Sequence, residues 1–441
     1  MYFDLPGIRM TPLDVEVENI EVDLILILME SKDTLTGWLN YNTDLFHPAA
    51  IAEMARHFEI LLEGVTARPG AKGQEFRELL TVSDREYKIA AEQKLTKSNL
   101  KKLKSIKPKP IGVSKEPTVK AALLTPDKTL PLVITSNSSD VDLRVWAETN
   151  RESIETKLLE HGAILFRGFK VDSALKFERF AQIFCQELFT ENGEHPRSLI
   201  SGNVYTPVFY PADKQILWHN ENSFNHHWPL KIWFGCMVAA QQGGETPVVD
   251  ARRVYDLIKP KVRDNFIEKG IMYVRRYGKG LGLDWPMVFR TSSKAEVTAR
   301  CHEEMIECLW DGSDLTTRAI RPAVMKHPRT AEMSWFNQAQ HWHPSCLDES
   351  TRVSMRTLFK EEDFPRNCYY GDGSPIADSD MLSVLDTYRQ LESSFSWIKG
   401  DVLMIDNVLA AHGRNPFVGE RAHLVAMGEL HTYGAVDQSP R

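Results

Sequence analysis

Hydrophobic and polar positions alternate along this chain in two distinct regimes, separated by a polar stretch. Asp23-Leu-Ile-Leu-Ile-Leu-Met29 is a nearly continuous apolar run, the pattern of a strand buried on both faces. Thr36-Gly-Trp-Leu-Asn-Tyr-Asn42 alternates and reads as its partner strand. A helix is predicted from Ala49, with Ile51, Met54, Phe58, Leu61, Leu62 and Val65 mostly three or four apart on one face. Arg77–Ser83 closes this first segment. Residues 86–117 then lose the pattern: seven lysines fall between Lys94 and Lys109 with no acidic residue among them, and Pro108, Pro110 and Pro117 discourage regular structure.

The second regime begins near Thr118. Val145–Leu159 has helical spacing that His161-Gly162 stops. Gly162–Gly168 reads as a buried strand, and Phe177–Phe189 as a helix with Phe177, Phe180, Phe184 and Leu188 on one face. Apolar strand runs follow at Val204–Tyr210, Ile232–Val238, Val248–Asp250, Ile271–Val274, Val402–Asp406 and Leu424–Glu429, with helices at Val254–Lys269 and Ser379–Leu391. Many strands flanked by helices predict a mixed α/β chain whose core is a β-sandwich or barrel. The predicted organisation is a small α/β N-terminal segment (1–85), a Lys/Pro-rich linker (86–117) and a larger domain (118–441).

Composition narrows the function classes. At 441 residues, with 42% apolar and 26% charged positions, the chain is long enough for two units with ample core. Its net charge of -7 argues against general nucleic-acid binding. The basic tract carries no interleaved aromatics for base stacking, so an acidic carrier protein suits it better. The six cysteines at 185, 236, 301, 308, 346 and 368 include no CxxC pair, as expected of free thiols in a reducing cytoplasm. The run from Leu24 to Met29 is far too short to span a bilayer, and no membrane partner is expected.

The chemistry concentrates in Leu217-Trp-His-Asn-Glu-Asn-Ser223. On an extended strand His219 and Glu221 point to the same side and Asn220 faces away. An imidazole and a carboxylate so placed form two thirds of a 2-His-1-carboxylate facial triad for Fe(II). His412, in Ala411-His-Gly-Arg414, is the candidate third ligand. The bare His-x-Glu pair is common on ordinary surfaces, and the flanking blocks carry the specificity.

Those blocks are Trp228-Pro-Leu-Lys-Ile-Trp-Phe234, Gln242-Gly-Gly-Glu-Thr-Pro-Val-Val-Asp250, Trp335-Phe-Asn-Gln338 with Trp342-His-Pro344, and Asp406-Asn407 followed by His412-Gly-Arg414 and Arg421. In this order they resemble the TauD/TfdA family of Fe(II)- and 2-oxoglutarate-dependent oxygenases, within it the SyrP-like branch, over about residues 130–435. The resemblance implies a double-stranded β-helix (jelly-roll, cupin-like) core with flanking helices. It implies Fe(II), 2-oxoglutarate and O2, with His219, Glu221 and His412 as metal ligands and Arg421 and Thr246 holding the far carboxylate of 2-oxoglutarate. Related halogenases carry a small residue at position 221. Glu221 fills that site with carboxylate oxygen, which favours hydroxylation or desaturation over halogenation.

Other candidates have two readings each. Asn337 and Gln338 face an amino acid substrate or a loop backbone, and His343, like His341, touches substrate or packs near the cleft. His226 and His227 read as loop histidines, and Arg252 and Arg253 as solvating a turn. Gly243 and Gly244 read as a tight turn beside the cofactor. Arg414 reads as a surface residue rather than a second substrate cation, and Asn407 as fixing backbone near His412.

The first segment has a resemblance of its own. Its strand, partner strand, Tyr41-Asn-Thr-Asp-Leu-Phe46, helix and Leu79-Leu-Thr81 are similar to the C-terminal end of a nonribosomal peptide synthetase condensation domain, without that family's catalytic motif. It reads either as a docking element for synthetase modules or as a fusion relic. Together the two resemblances imply an oxygenase hydroxylating an amino acid, at the β-carbon and bound to a carrier protein. A free amino acid or small metabolite as substrate, and a non-catalytic synthetase adaptor, are the alternatives.

Overall fold

The computed structural model describes residues 24–31, 34–41, 48–68 and 118–433, apart from 139–140, 190–198 and 279–283, with three isolated positions between 70 and 80. The predicted linker 86–117, residues 42–46 of the Tyr41–Phe46 motif and nearly all of 77–83 lie outside the described residues. The chain divides into two compact units, Met1–Val113 and Ser114–Arg441.

In the first unit, β1 (Leu24–Ser31) pairs antiparallel with β2 (Thr34–Tyr41), and a helix runs Pro48–Ala67. The strand is where the pattern puts it, but it is not buried on both faces: Ile25, Leu26, Ile27 and Leu28 are exposed, as is Trp38 on its partner. Among the described residues β2 is the one strand paired with β1.

The second unit is layered. Its main sheet has eight strands in the order β3 (Val119–Leu123), β4 (Leu132–Ser136), β5 (Ala163–Arg167), β18 (Val402–Asp406), β9 (His227–Val238), β21 (Ala422–Thr432), β7 (Val204–Tyr205) and β6 (Leu199–Ser201). All neighbours are antiparallel except β4 and β5. Within the central strands, residues 163–166, 402–405 and 424–427 are apolar throughout because both faces of the sheet are covered there. Ile164, Phe166, Val402, Met404, Leu424 and Ala426 point to one side, against the helices Leu143–His161 and Ala174–Phe184. The alternate residues Ala163, Leu165, Leu403, Ile405, Val425 and Met427 point to the other, where they meet Val248, Phe395 and Trp397. Across that second core lies a small sheet in the order β11 (Val248–Asp250), β19 (Ala410–Arg414), β8 (Ile216–His219); β13 (Glu307–Asp311), β14 (Asp314–Arg321), β12 (Ile271–Tyr277) and β17 (Arg366–Tyr370) form a further sheet, and β15 (Val324–Lys326) pairs with β16 (Met333–Trp335). The back of the small sheet packs Trp218 and Val249 against the helices Ala251–Leu257, Pro260–Lys269 and Asp378–Leu391.

Several predicted bounds move for identifiable reasons. The helix predicted over Val254–Lys269 is two helices, broken where Pro260 forces Lys259 out of helical conformation. The helix predicted to reach Phe189 ends at Phe184, and Leu188 instead bridges Gly428. The strand predicted at Val204–Tyr210 is only Val204–Tyr205. The helix stop at Gly162 is as the pattern requires: its φ of 75° is left-handed and its N–H returns to Leu158 O.

Candidate metal centre

His219 and His412 are 193 residues apart (412 minus 219), yet they sit directly opposite each other in the antiparallel pairing of β8 and β19. Val248 of β11 pairs with His412 from its other side. Cross-strand neighbours of this kind bring side chains of one face together, and the two imidazole rings lie 4.4 Å apart. Glu221 does not follow on a strand, as the i, i+2 argument supposed. β8 ends at His219, and Glu221 stands in a turn where Ser223 N–H donates to Asn220 O and Asn222 takes a left-handed φ of 58°.

The turn still delivers the carboxylate. Glu221 Oε2 lies 3.8 Å from His219 Nε2 and 3.9 Å from His412 Nε2. One donor atom from each of the three residues falls within 4.8 Å of the others. A first-row metal binds such N and O donors at roughly 2.0–2.2 Å, so one ion bridges atoms up to about 4.2 Å apart. Both carboxylate–imidazole spacings meet that limit. The donor set also suits the metal: two neutral imidazoles with one carboxylate is the ferrous facial arrangement.

The surroundings fix each donor. His219 Nδ1–H donates to Leu217 O at 2.9 Å, which sets the tautomer and leaves the Nε2 lone pair for a metal. His412 is buried, with Phe234 of β9 5.0 Å from its ring. Glu221 is held through its backbone: its N–H donates to Asn407 Oδ1 at 2.7 Å, and Asn407 Nδ2 donates back to Glu221 O at 2.9 Å and to Pro229 O at 2.8 Å. Asn407 thus fixes the backbone of Glu221 rather than that of His412. Asn220 does face away, into the core, where Nδ2 donates to Asn407 O at 2.6 Å.

The segment 338–341 laces the same backbone. Gln338 Nε2 donates to Asn220 O at 2.7 Å, Gln340 Nε2 to Trp218 O, and His341 Nε2–H to Leu217 O at 2.8 Å. The His341 ring sits 4.8 Å from that of His219. Burial, and next the neighbouring His219, push His341 down to about 3, so it is neutral.

Substrate contact by Asn337, Gln338 and His343 is not what these side chains are arranged for. Asn337 Nδ2 donates to Ala323 O and its Oδ1 accepts from Ala339 N–H, while His343 uses Nδ1 on Ser345 and Nε2 on Ile376 O. All three are buried and bonded to the protein itself. Arg414 and Arg252 also depart from the surface readings. Arg414 is buried and donates to Tyr210 O, Pro211 O and Lys214 O, clasping the loop before β8. Arg252 grips Asp250 and donates to Leu159 O and Glu160 O. His227 opens β9 and pairs with Glu304 at 3.1 Å, and His226 precedes it.

Beside His412, a second constellation forms where β10 (Gln242–Gly243) pairs with β20 (Phe417–Val418). Gly243 and Gly244 both take left-handed φ. A side chain on Gly244 would crowd Arg421, Phe417 and Ala240. Arg421 Nε donates to Gly244 O at 3.1 Å, its guanidinium lies 5.6 Å over the Phe417 ring, and no carboxylate among the described residues is within ion-pair distance of it. Burial, then the charge of Arg414, push it down to about 10. Thr246, two residues before Val248, is buried and accepts from Trp397 Nε1 at 3.1 Å, which leaves its hydroxyl hydrogen to donate elsewhere.

Trp397 in turn packs edge-on against His423, ring centres 4.8 Å apart. His423 is buried, and neither ring nitrogen has a hydrogen-bond partner among the described residues. A dry, unmet imidazole N–H costs about 1–3 kcal/mol. A partly buried guanidinium, a hydroxyl and an imidazole are the donor types that bind a carboxylate such as the tail of 2-oxoglutarate. Sequence reasoning missed Trp397 and His423: Trp397 stands in the serine-rich stretch 393–398 and His423 at the head of an apolar run, and neither lies in a motif.

Comparison with known proteins follows the same lines. Residues 125–427 match the model of the family described as taurine catabolism dioxygenase TauD, TfdA family. The chain is 35% identical over 310 residues to the dapdiamide synthesis protein DdaC of Enterobacter agglomerans, covering 70% of this chain and 93% of that protein. Its N-terminal part is 36% identical over 81 residues to the chondramide synthase of Chondromyces crocatus, 18% of this chain and 2% of that protein. Among solved structures it is similar to PvcB from Pseudomonas aeruginosa, an Fe, α-ketoglutarate-dependent oxygenase, at a TM-score of 0.43 and 15% identity over 76% of this chain and 98% of that one.

Proposed function

The chain belongs to the TauD/TfdA family of Fe(II)- and 2-oxoglutarate-dependent dioxygenases, and from that premise we propose that it hydroxylates an unactivated C–H of an amino acid, at the β-carbon, in nonribosomal peptide or related natural-product biosynthesis. The observation that carries the reading is the meeting of His219 Nε2, His412 Nε2 and Glu221 Oε2, in a chain whose partly buried Arg421 has no carboxylate partner among the described residues.

In this reading His219, Glu221 and His412 hold Fe(II), and Arg421 with Thr246 holds the far carboxylate of 2-oxoglutarate. When bound, iron and 2-oxoglutarate supply oxygen activation: one O2 and one 2-oxoglutarate are consumed, succinate and carbon dioxide leave, and one oxygen atom enters the substrate C–H. The chain's own part is orientation and exclusion of water. Leu217 O locks the His219 tautomer, Asn407 holds the Glu221 turn, and Phe234 shields His412 from solvent. Glu221 would supply a carboxylate oxygen at the position where related halogenases carry a small residue, which favours hydroxylation or desaturation over halogenation. The two facing sheets of the second unit, we infer, are the two halves of a double-stranded β-helix, with the ligands on the smaller half.

The similarity of the N-terminal part to a peptide synthase, and of the catalytic part to a protein named for dapdiamide synthesis, supports a substrate carried by a peptide synthetase. Residues 1–85 are then a condensation-domain-like element for meeting synthetase modules, 86–117 a basic linker towards an acidic carrier protein, and 118–441 the oxygenase. Among the described residues no helix is long and apolar enough to cross a membrane. The test is mass spectrometry on a panel of free and carrier-loaded amino acids with Fe(II), 2-oxoglutarate and O2. A gain of one oxygen on loaded substrates alone supports the tethered reading. Equal conversion of free amino acids supports the small-metabolite alternative, and no oxidation of any panel member with intact cofactor binding rejects amino acid hydroxylation.

A further inference from the structure

We propose that His423 is a third donor to the far carboxylate of 2-oxoglutarate, acting beside Arg421 and Thr246; the inference rests on the co-substrate reading above. Three observations point there. Arg421 immediately precedes β21 and His423 is two residues on, on the strand face that looks towards the small sheet. His423 lies against Trp397, whose indole N–H donates to Thr246 Oγ1, so one indole touches both the imidazole and the other proposed carboxylate donor. Both of its ring nitrogens are buried with no partner among the described residues, which costs free energy until something polar meets them. Burial, and next the charge of Arg421, hold this histidine far below its usual range, down to about 2, so it is neutral and carries one N–H. A neutral imidazole cannot neutralise an anion. What it supplies is a directed N–H to a carboxylate oxygen, which distinguishes a five-carbon 2-oxo diacid from a 2-oxo acid with an apolar tail.

That distinction gives the test. Fe(II)-loaded protein is titrated anaerobically with 2-oxoglutarate and with 2-oxovalerate, which keeps the chelating end and lacks the far carboxylate. Binding is read from the charge-transfer absorption rather than from turnover. Replacing His423→Phe keeps a ring and removes the donor. It should weaken 2-oxoglutarate about ten- to a hundredfold, the range of a hydrogen bond to a charged group, and leave 2-oxovalerate within about twofold. His423→Gln, which keeps an N–H, should recover most of the loss. Equal weakening of both ligands, or of neither, overturns the role of His423 while leaving the co-substrate reading intact. Failure of the unmodified protein to bind 2-oxoglutarate at all overturns both. A measurement without substitution guards against misfolded variants: in protein labelled with 15N-histidine, 2-oxoglutarate should shift one His423 ring nitrogen and 2-oxovalerate should not, and identical spectra with the two ligands overturn the proposal.

Discussion

Replacing Asn407→Ala separates holding a metal ligand from merely filling the core. The side chain is fully buried and makes three bonds: Glu221 N–H to Oδ1 at 2.7 Å, and Nδ2 to Glu221 O at 2.9 Å and to Pro229 O at 2.8 Å. Pro229 O lies in the buried strand β9, and leaving it unmet costs about 1–3 kcal/mol. The two Glu221 groups stand in a half-buried turn that water reaches, so each loses the net value of an exchanged bond, about 0.5–1.5 kcal/mol. Together the loss of stability is about 2–6 kcal/mol. The turn that presents Glu221 Oε2 has no other side chain bonded to both its N–H and its C=O among the hydrogen bonds described, so metal affinity should fall with it, by about 10- to 100-fold as for other residues that orient ligands. The assay is a Co(II) or Fe(II) dissociation constant from absorption titration, run well below the variant's melting temperature so that only folded protein is counted. Asn407→Asp is the control: it can keep the acceptor for Glu221 N–H but sets an oxygen against two carbonyls, and should weaken metal binding as well. A variant that melts lower yet binds metal with unchanged affinity refutes the positioning role.

Other predictions follow from the same geometry. Glu221→Ala should lower metal affinity by more than the 10- to 100-fold cost of losing a supporting residue and abolish hydroxylation; unchanged turnover removes Glu221 from the ligand set. Arg421→Met should raise KM for 2-oxoglutarate by roughly thirtyfold or more, from the about 2–5 kcal/mol lost when one side of a buried charge pair is truncated, with little change in metal affinity. His423 should make stability pH-dependent in a stated direction. Its folded pKa is depressed, so the unfolded chain binds the extra proton below about pH 6.5; its contribution is complete above that pH and is lost on acidification, at about 1.4 kcal/mol per pH unit, some 2 kcal/mol between pH 6.5 and 5. Denaturant titrations across that range should be shallower in pH dependence for His423→Gln. Removing residues 1–117 should leave metal binding unchanged and slow action on carrier-bound substrates; equal rates before and after favour a fusion relic.

Much of this fold is legible in the hydrophobic pattern because the main sheet is covered on both sides. Val402–Asp406 and Val248–Asp250 are found to the residue, since an unbroken apolar run bounded by polar residues has few other ways to be buried. Where the pattern misleads, a local signal usually outranks periodicity. Pro260 divides one apolar stripe into two helices, and Pro207 and Pro211 flank the stretch that does not continue β7. The apolar β1 is a different failure: the run is a strand, but the burial it implies on both faces is not met among the described residues of its own unit.

The candidate site divides along another line. His219 and His412 are legible as residue types in motif blocks, but that they are cross-strand partners belongs to the register of β8 and β19, which no local pattern encodes. Glu221 arrives beside the two histidines by a turn, not by the strand alternation that the i, i+2 spacing suggests. The turn needs Asn222 in left-handed backbone and Asn407, 186 positions away, on both of its peptide groups. This is why the polar residues around the site look interchangeable in sequence and are not so in space. Arg414 holds the loop before β8, and Gln338, Gln340 and His341 hold the carbonyls of the strand end and turn, while Arg421, Thr246 and His423 are the residues proposed for the carboxylate. Buried polar groups that find protein partners serve the scaffold; in the co-substrate reading, Arg421, with no carboxylate partner among the described residues, and the unmet His423 ring are where a ligand would supply one.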